Sequence, residues 1–216
     1  MLKEVVSYFM SAAGAGIFAS PPAVPELAVS VTRSSSVSRD GFAGTYELSQ
    51  VSPQAFRILL GMVVRSHFGH AALADFRISI VSDPSAHWNL GQILAGGYPG
   101  RAAATQFDLD LAPDLEEQSM AAVRLRFARA LTEQEFRDVE ERIADWHTLM
   151  LLGGYVSSFE KMQGFPVRPS PTYRLAPSVV EHVLYGFPGF AAYDGIVNLA
   201  VKLNATFCPL LALEIE

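Results

Sequence analysis

The sequence predicts an α+β fold made of two halves, each of which combines helices with a sheet. Two observations lead to this prediction. First, segments in which apolar and polar residues alternate, as in half-buried strands, are interspersed with segments of helical periodicity. Second, residues 51–57 resemble residues 131–137, with Gln, Phe and Arg at matching positions 80 residues apart. Both copies follow a strand-like segment and begin a helix-like one, which suggests that one supersecondary unit is used twice.

Composition limits the class of protein. Of the 216 residues, 50% are apolar and 18% are charged, so the chain can form a sizeable core and does not have the composition of a disordered protein. The apolar fraction is high for a soluble monomer, so part of the surface is expected to be buried in a homo-oligomer. The formal net charge is −6 and the basic residues are scattered, so we expect no nucleic-acid partner.

Cysteine usage and hydropathy exclude further classes. Cys208 is the single cysteine, so the chain has no internal disulfide and no cysteine-rich metal site, and we expect Cys208 to be a small buried residue. No apolar run reaches the roughly 18–20 residues that a membrane-spanning helix requires. The apolar residues 5–19 are expected to belong to an amphipathic helix of the folded domain rather than to a signal peptide. The sequence therefore predicts a cytoplasmic protein that does not act at a membrane.

In the first half, the pattern predicts two helices and four strands. Ser52 suits the N-cap of the second helix, and Pro53 suits its first position because the missing N–H is not needed there. The serine-rich residues 34–41 are predicted to form a turn or a mobile loop. The predicted elements are a helix over residues 2–13, strands over residues 26–32 and 42–49, a helix from Pro53, and strands over residues 75–81 and 106–111.

The second half contains the clearest helix of the sequence. Thr132 suits its N-cap, and Glu135 can bond back to the Thr132 backbone, so the two form a capping box. Apolar residues follow at helical spacing until Gly153 and Gly154 end the helix. The other predicted elements are a strand over residues 123–127, a short strand over residues 155–159, hairpin arms over residues 173–175 and 179–187, a helix over residues 190–204, and a strand over residues 208–216. In this last strand Leu211, Leu213 and Ile215 are expected to face the core.

The order strand–helix–strand–strand–helix–strand in the second half is that of a ferredoxin-like βαββαβ arrangement. In this arrangement both helices cover one face of an antiparallel sheet. Its first and last strands are neighbours, so Arg124 and Arg126 are expected to face Glu214 and Glu216 across the uncovered face.

The first half fits a permuted copy of the same arrangement. In this copy its first helix and first strand take the place of the last helix and last strand of the βαββαβ order. The sequence thus predicts a permuted internal duplication. The predicted halves are residues 1–112, an N-terminal α+β half, and residues 118–216, the ferredoxin-like half. They could also form one continuous domain.

Candidate binding residues lie in a long irregular connection over residues 83–101. Long ordered loops on a rigid scaffold often bind ligands or partners. Trp88 and Tyr98 offer rigid contact area, Arg101 offers a planar group for a carboxylate or phosphate, and His87 lies beside Trp88. We therefore expect a ligand or partner site at these four residues, although Trp88 could simply pack the loop onto the core.

Two other sets of side chains could bind a cation. His67 and His70 lie three residues apart at a helix end, which places both imidazoles on one side of the helix. A metal would need a third ligand from elsewhere in the chain, for which Asp75 is a candidate. A favourable interaction with the helix C-terminus explains these histidines as well. Asp108 and Asp110 share one strand face and could hold a cation or act as acid and base, yet the solvated side of a strand has the same pattern. We expect no metal and no cofactor.

The sequence contains no phosphate-binding loop, no nucleophile elbow and no His-Glu-x-x-His helix. It therefore favours a non-catalytic binding or interaction module that recognises a protein or a small ligand, for example a basic partner neutralised by charge complementarity. The alternative is an enzyme that uses His67, His70 or His87 with Asp108 or Asp110 in a cleft between the halves. A third possibility is a structural homo-oligomer in which open sheet faces cover each other.

Overall fold

A computed structural model gives the structure of the chain, and the described parts form four helices and seven strands. The structure describes residues 2–17, 31–38, 41–48, 53–69, 105–115, 117–155, 170–186 and 190–216. The helices are α1 (Leu2–Gly14), α2 (Pro53–Gly69), α3 (Glu133–Leu151) and α4 (Phe190–Thr206). The strands are β1 (Val31–Ser38), β2 (Gly41–Leu48), β3 (Asp108–Leu111), β4 (Met120–Phe127), β5 (Thr172–Ala176), β6 (Val179–Tyr185) and β7 (Leu210–Ile215).

The described strands form two sheets. β1 and β2 pair antiparallel, with Val31 opposite Leu48 and Ser38 opposite Gly41. The other five strands form a sheet in the order β3-β7-β4-β6-β5. β3 runs parallel to β7, whereas the remaining neighbours are antiparallel. A mixed five-stranded sheet combined with helices confirms the predicted α+β class.

The predicted contact between the first and last strands of the second half is confirmed. β4 pairs with β7, and Arg124 lies directly opposite Glu214. β3, which precedes residue 112, extends the same sheet beyond β7. Buried residues of α1 and α2 belong to one hydrophobic cluster with those of the larger sheet. The division into residues 1–112 and 118–216 stays a prediction.

α3 begins and ends at the residues that the sequence indicates. The Thr132 hydroxyl accepts a hydrogen bond from the Glu135 backbone N–H at 3.2 Å, and the Glu135 carboxylate accepts one from the Thr132 N–H at 2.8 Å. The helix ends before Gly153, whose φ of +78° is a left-handed conformation that glycine adopts without strain.

None of the described helices combines the length and the apolar character that crossing a membrane requires.

α2 packs closely against the turn that follows α3. A Cβ atom at Gly61 would lie 2.6 Å from the Gly153 carbonyl oxygen, and one at Gly154 would lie 2.7 Å from Ile58 Cγ2. The glycines therefore allow a backbone approach that larger residues would prevent.

Two predictions about strands were wrong. The serine-rich residues 34–41 are paired strand residues of β1 and β2 for most of their length, because cross-strand pairing satisfies the backbone despite the turn-like composition. Leu211 was expected to face the core, yet it is 53% exposed and Leu210 is buried. A register shift places Phe127 opposite Leu210 and reverses the alternation there. The predicted strands over residues 75–81 and 155–159 lie outside the described residues, except Tyr155.

The two faces of the larger sheet differ. One face packs against α3 and α4, and its side chains on the three central strands β7, β4 and β6 are almost fully buried. The other face carries the alternate residues, which are intermediate or exposed, and we call it the open face. The open face consists of Asp108, Asp110, Met120, Ala122, Arg124, Arg126, Tyr173, Ala176, Val179, Glu181, Val183, Tyr185, Ala212, Glu214 and Glu216. Leu175 lies at a register shift of β5, and we count it with this face because in a β-bulge two residues, here Leu175 and Ala176, oppose one residue of the partner strand, here Val179.

Candidate functional site

The predicted loop site lies outside the described part of the chain. This holds for all four of its residues, His87, Trp88, Tyr98 and Arg101. Their role therefore stays a prediction.

The predicted cation ligands are only partly described. His70 and Asp75 lie outside the described residues, and His67 belongs to α2 but its side chain is not described. Asp108 and Asp110 lie on β3 and on the open face, where both are exposed. Among the described residues, no group of three or more His, Cys, Asp or Glu side chains is placed to hold a metal ion.

A row of polar side chains crosses the open face from one edge strand to the other. Asp110 on β3 lies opposite Glu214 on β7, which lies opposite Arg124 on β4. Arg124 lies opposite Glu181 on β6, which in turn lies opposite Tyr173 on β5. Residues directly opposite one another on neighbouring strands are close enough for their side chains to interact. The row therefore places a single cation among three carboxylates.

The two arginines of the open face are engaged in ion pairs. Arg124 donates from Nε to Glu181 at 2.5 Å and from Nη1 to Glu216 at 2.7 Å. Arg126 donates from Nη2 to Glu214 at 2.6 Å. The hydrogen bond to Glu181 is the main reason why the pKa of Arg124 is raised above its ordinary value. Both guanidinium groups thus already have carboxylate partners within the sheet.

Large apolar side chains are exposed on the same face. Met120 is 56% exposed, Leu175 55%, Tyr173 47% and Tyr185 42%. Met120 and Tyr185 lie directly opposite each other on β4 and β6, while Tyr173 and Leu175 lie on the edge strand β5. Single exposed apolar residues are ordinary, whereas contiguous apolar patches are typical of interaction surfaces.

The open face is polar at one edge and apolar at the other. Asp108 and Asp110 lie on β3, whereas Tyr173 and Leu175 lie on β5, four strand intervals away. Since neighbouring strands are about 4.8 Å apart, the two edges are separated by about 19 Å. A partner that covers the whole face thus meets carboxylates at one end and aromatic and aliphatic groups at the other.

A second cluster of polar side chains is buried between α3 and the sheet. His147 Nδ1 lies 2.7 Å from His182 Nε2, and the Ser170 hydroxyl lies 3.2 Å from the same His182 nitrogen. The Thr172 hydroxyl lies 2.9 Å from His182 Nδ1. His147 and His182 are 5% and 1% exposed. We call these four residues the histidine cluster.

Burial determines the protonation state of His182. It lowers the pKa of His182 to about 3, with a smaller contribution from repulsion by His147. His182 is therefore a neutral imidazole at neutral pH and a poor general base, because a catalytic base needs a pKa near the working pH. Trp146 donates from Nε1 to the Ala192 carbonyl at 2.8 Å, and its ring meets His182 edge to face. The geometry is that of a hydrogen-bonded part of the core.

Sequence reasoning missed both the histidine cluster and the apolar side of the open face. The signal for His182 was present, because it alternates with Val180 and Leu184 on the buried side of a predicted strand. His147 directly follows Trp146 of the buried stripe of α3. No local pattern indicates that these two histidines meet.

Comparisons with protein-family models, with curated proteins and with solved structures found no match. The open face and the histidine cluster are therefore the features from which a function can be inferred.

Proposed function

We propose that this protein is a non-catalytic interaction module that binds a protein partner through the open face. The observation that carries the proposal is the exposure of Met120, Tyr173, Leu175 and Tyr185 on one side of one sheet. Aromatic residues and methionine are enriched in protein interfaces, where they provide contact area. Burying these four side chains against a partner would remove the largest apolar groups of this face from water.

A protein is the better partner for this face than a small molecule. Small ligands bind in concave pockets that enclose most of their surface. A sheet face about 19 Å across instead offers the broad contact that protein interfaces require. A small ligand remains the alternative for the predicted loop site, residues 83–101.

We also propose that residues 118–216 have the ferredoxin-like arrangement. Support comes from the element order of β4, α3, β5, β6, α4 and β7 and from their order in the sheet, β7-β4-β6-β5. All three pairings among these strands are antiparallel, and both helices contact the sheet. In this arrangement the face opposite the helices is free to bind.

The predicted duplication is part of the same proposal. α2 begins at Pro53 and α3 at Glu133, so the two helices start with the same 80-residue offset as the sequence similarity. Phe56 and Phe136 therefore occupy the same position within their helices. Each helix follows a strand, β2 in the first case and β4 in the second.

The enzyme alternative gains no support from the part of the chain that the structure describes, where Asp108 and Asp110 are both exposed. It depends on His67, His70 and His87, whose side chains lie outside the described residues. It stays a prediction.

The test of the proposed function compares matched surface variants. The open-face variant carries Tyr173→Ser and Leu175→Ser, and the control carries Tyr8→Ser and Leu111→Ser, which are comparably exposed but lie off this face. Circular dichroism first establishes that both variants are folded. Each protein is then used to capture partners from a cytoplasmic extract, because cytoplasmic location is part of the proposal.

A captured protein is purified and its affinity is measured directly. We expect the control to bind like the original chain and the open-face variant to bind at least about tenfold more weakly, a loss of about 1.4 kcal/mol. Equal affinity for all three proteins, or the absence of any captured partner, would overturn the proposal. Light scattering of the original chain identifies the case in which the partner is a second copy of this chain.

A further inference from the structure

We infer that the partner of the open face is a cationic protein segment, whose lysine or arginine side chains meet the β3 edge and whose apolar side chains cover the β5 edge. The inference rests on the proposed function and adds the charge and the polarity of the partner. It follows from the balance of charges on the face, from the ion pairs already formed there and from the distance between its two edges.

The open face carries more carboxylates than cations. Among the residues that the structure describes, its cations are Arg124 and Arg126. Its five carboxylates belong to Asp108, Asp110, Glu181, Glu214 and Glu216. The formal balance is therefore −3. The face thus attracts a cationic partner and repels an anionic one.

The ion pairs strengthen the preference of the open face for a cationic partner over an anionic one. Arg124 and Arg126 are held by three glutamates of neighbouring strands, so an incoming anion would have to displace a carboxylate to bind either guanidinium. Asp108 and Asp110, in contrast, form no ion pair with any described residue, and both are exposed. The groups that remain available to a partner are therefore carboxylates.

The distance across the open face sets the spacing between the apolar and the cationic residues of the partner segment. About 19 Å separates the aspartates of β3 from Tyr173 and Leu175 on β5. An extended chain advances about 3.3 Å per residue, so about six residues span this distance. The matching segment carries an aromatic or aliphatic group at one end and lysine or arginine about six residues away.

The same charges disfavour two other occupants. A second copy of this chain would bring a formal charge of −3 against another of −3, which opposes a symmetric dimer through this face. A nucleic acid would bring phosphates against free carboxylates, and the described part of this face has no free cation to receive them. A cationic protein segment is the occupant that agrees with both the apolar and the charged groups.

The test is a selection from a display library of random twelve-residue peptides on the immobilised, full-length chain. Enriched peptides are synthesised, and their affinity is measured at two salt concentrations, about 50 and 300 mM. We expect enriched sequences to combine net positive charge with at least one aromatic or aliphatic residue. Binding is expected to weaken as salt rises.

Two charge variants localise the interaction. Asp108→Asn with Asp110→Asn removes the free carboxylates of the face, whereas Glu140→Gln with Glu141→Gln removes the same charge from α3. We expect the first variant to bind the enriched peptides about fivefold or more weakly, and the second to bind them like the original chain. Equal losses in both variants would show attraction to net charge alone and would overturn the inference.

The outcomes separate the inference from the proposed function. Peptides that lose affinity with Tyr173→Ser and Leu175→Ser but carry no net positive charge would leave the proposed function intact and overturn the inference. Peptides insensitive to every open-face substitution, or a selection that enriches nothing, would count against the proposed function and therefore against both.

Discussion

The Nδ1 atom of His147 on α3 lies 2.7 Å from the Nε2 atom of His182 on β6. One of the two nitrogens must donate the hydrogen bond and the other must accept it, so at least one imidazole presents a lone pair at this contact. Both rings are almost fully buried, and Thr172 occupies the other nitrogen of His182. A proton added to His182 would create a buried charge beside a second histidine, and such a charge destabilises the folded state.

Acidification is expected to destabilise the protein through His182. Its pKa is about 3 in the folded chain and near 6.5 when it is exposed in the unfolded chain. Between these values the unfolded state binds more protons, so the free energy of unfolding falls as the pH falls. Since one pKa unit corresponds to about 1.4 kcal/mol, the loss between about pH 6.5 and pH 4 amounts to a few kcal/mol. Urea denaturation at several pH values measures it.

The control for this effect is His182→Gln, which has no titrating group at this position. The absolute stability of this variant is expected to be lower, but its free energy of unfolding should depend less on pH between about pH 6.5 and pH 4. Equal slopes for the original chain and the variant would show that His182 does not cause the pH dependence. Below about pH 4.5 a further loss is expected from Glu135, because its hydrogen bond with Arg129 lowers the pKa of that carboxyl to about 2.

The capping box of α3 is expected to contribute measurably to stability. Thr132→Ala removes the hydroxyl that accepts from the Glu135 N–H, and such a loss costs about 1 kcal/mol. Thr148→Ala is the matched control within the same helix, because the Thr148 hydroxyl donates only to the Ala144 carbonyl one turn earlier. Chemical denaturation should therefore show a clear loss for Thr132→Ala and little change for Thr148→Ala. Equal losses would mean that the cap has no special role.

The parts of the fold that were predictable depend on short-range rules. Thr132 and Glu135 are three residues apart, and a capping box needs nothing from the rest of the chain. The hairpin of β5 and β6 was likewise indicated by two alternating segments with a short connection. The contact of Arg124 with Glu216 followed from a topology rule, because the first and last strands of the predicted arrangement are neighbours.

The parts that were not predictable depend on distant contacts. His147 and His182 are 35 residues apart, and each alone has the pattern of an ordinary buried position. The exposure of Leu211 results from a register shift that involves Phe127 on another strand, which no pattern within residues 208–216 reveals. Tyr173 was correctly assigned to a strand, but its exposure depends on which face the helices cover.

The substitution Gly61→Ala is expected to destabilise the protein, although Gly61 lies in a helix. Alanine usually stabilises a helix relative to glycine by about 1 kcal/mol. At Gly61, however, the added Cβ atom would lie 2.6 Å from the Gly153 carbonyl oxygen, a backbone atom that cannot move without shifting the turn. Such crowding typically costs about 1–3 kcal/mol, so Gly61→Ala should lower the free energy of unfolding.

Gly14→Ala is the matched control for this substitution. Gly14 is the last residue of α1, and apart from its chain neighbours and the backbone of its own helix no heavy atom lies within 4 Å of the position of its added Cβ. Thermal and urea denaturation should therefore show no loss, or a small gain, for Gly14→Ala. A Gly61→Ala variant as stable as the original chain would show that α2 does not approach the Gly153 turn as closely as described.

Arg124 is expected to matter more for stability than Arg126, although both are arginines of the same strand. Arg124 holds two carboxylates, and the Glu181 side chain is only 14% exposed. Arg124→Met would leave Glu181 half-enclosed without its cation, a loss of about 1–2 kcal/mol. The Arg126 side chain is 51% exposed and holds one carboxylate, so Arg126→Met should cost less than about 1 kcal/mol. Urea denaturation of the two variants at neutral pH measures the difference. If both variants lose the same amount, the row across the open face consists of independent surface charges rather than of a connected network.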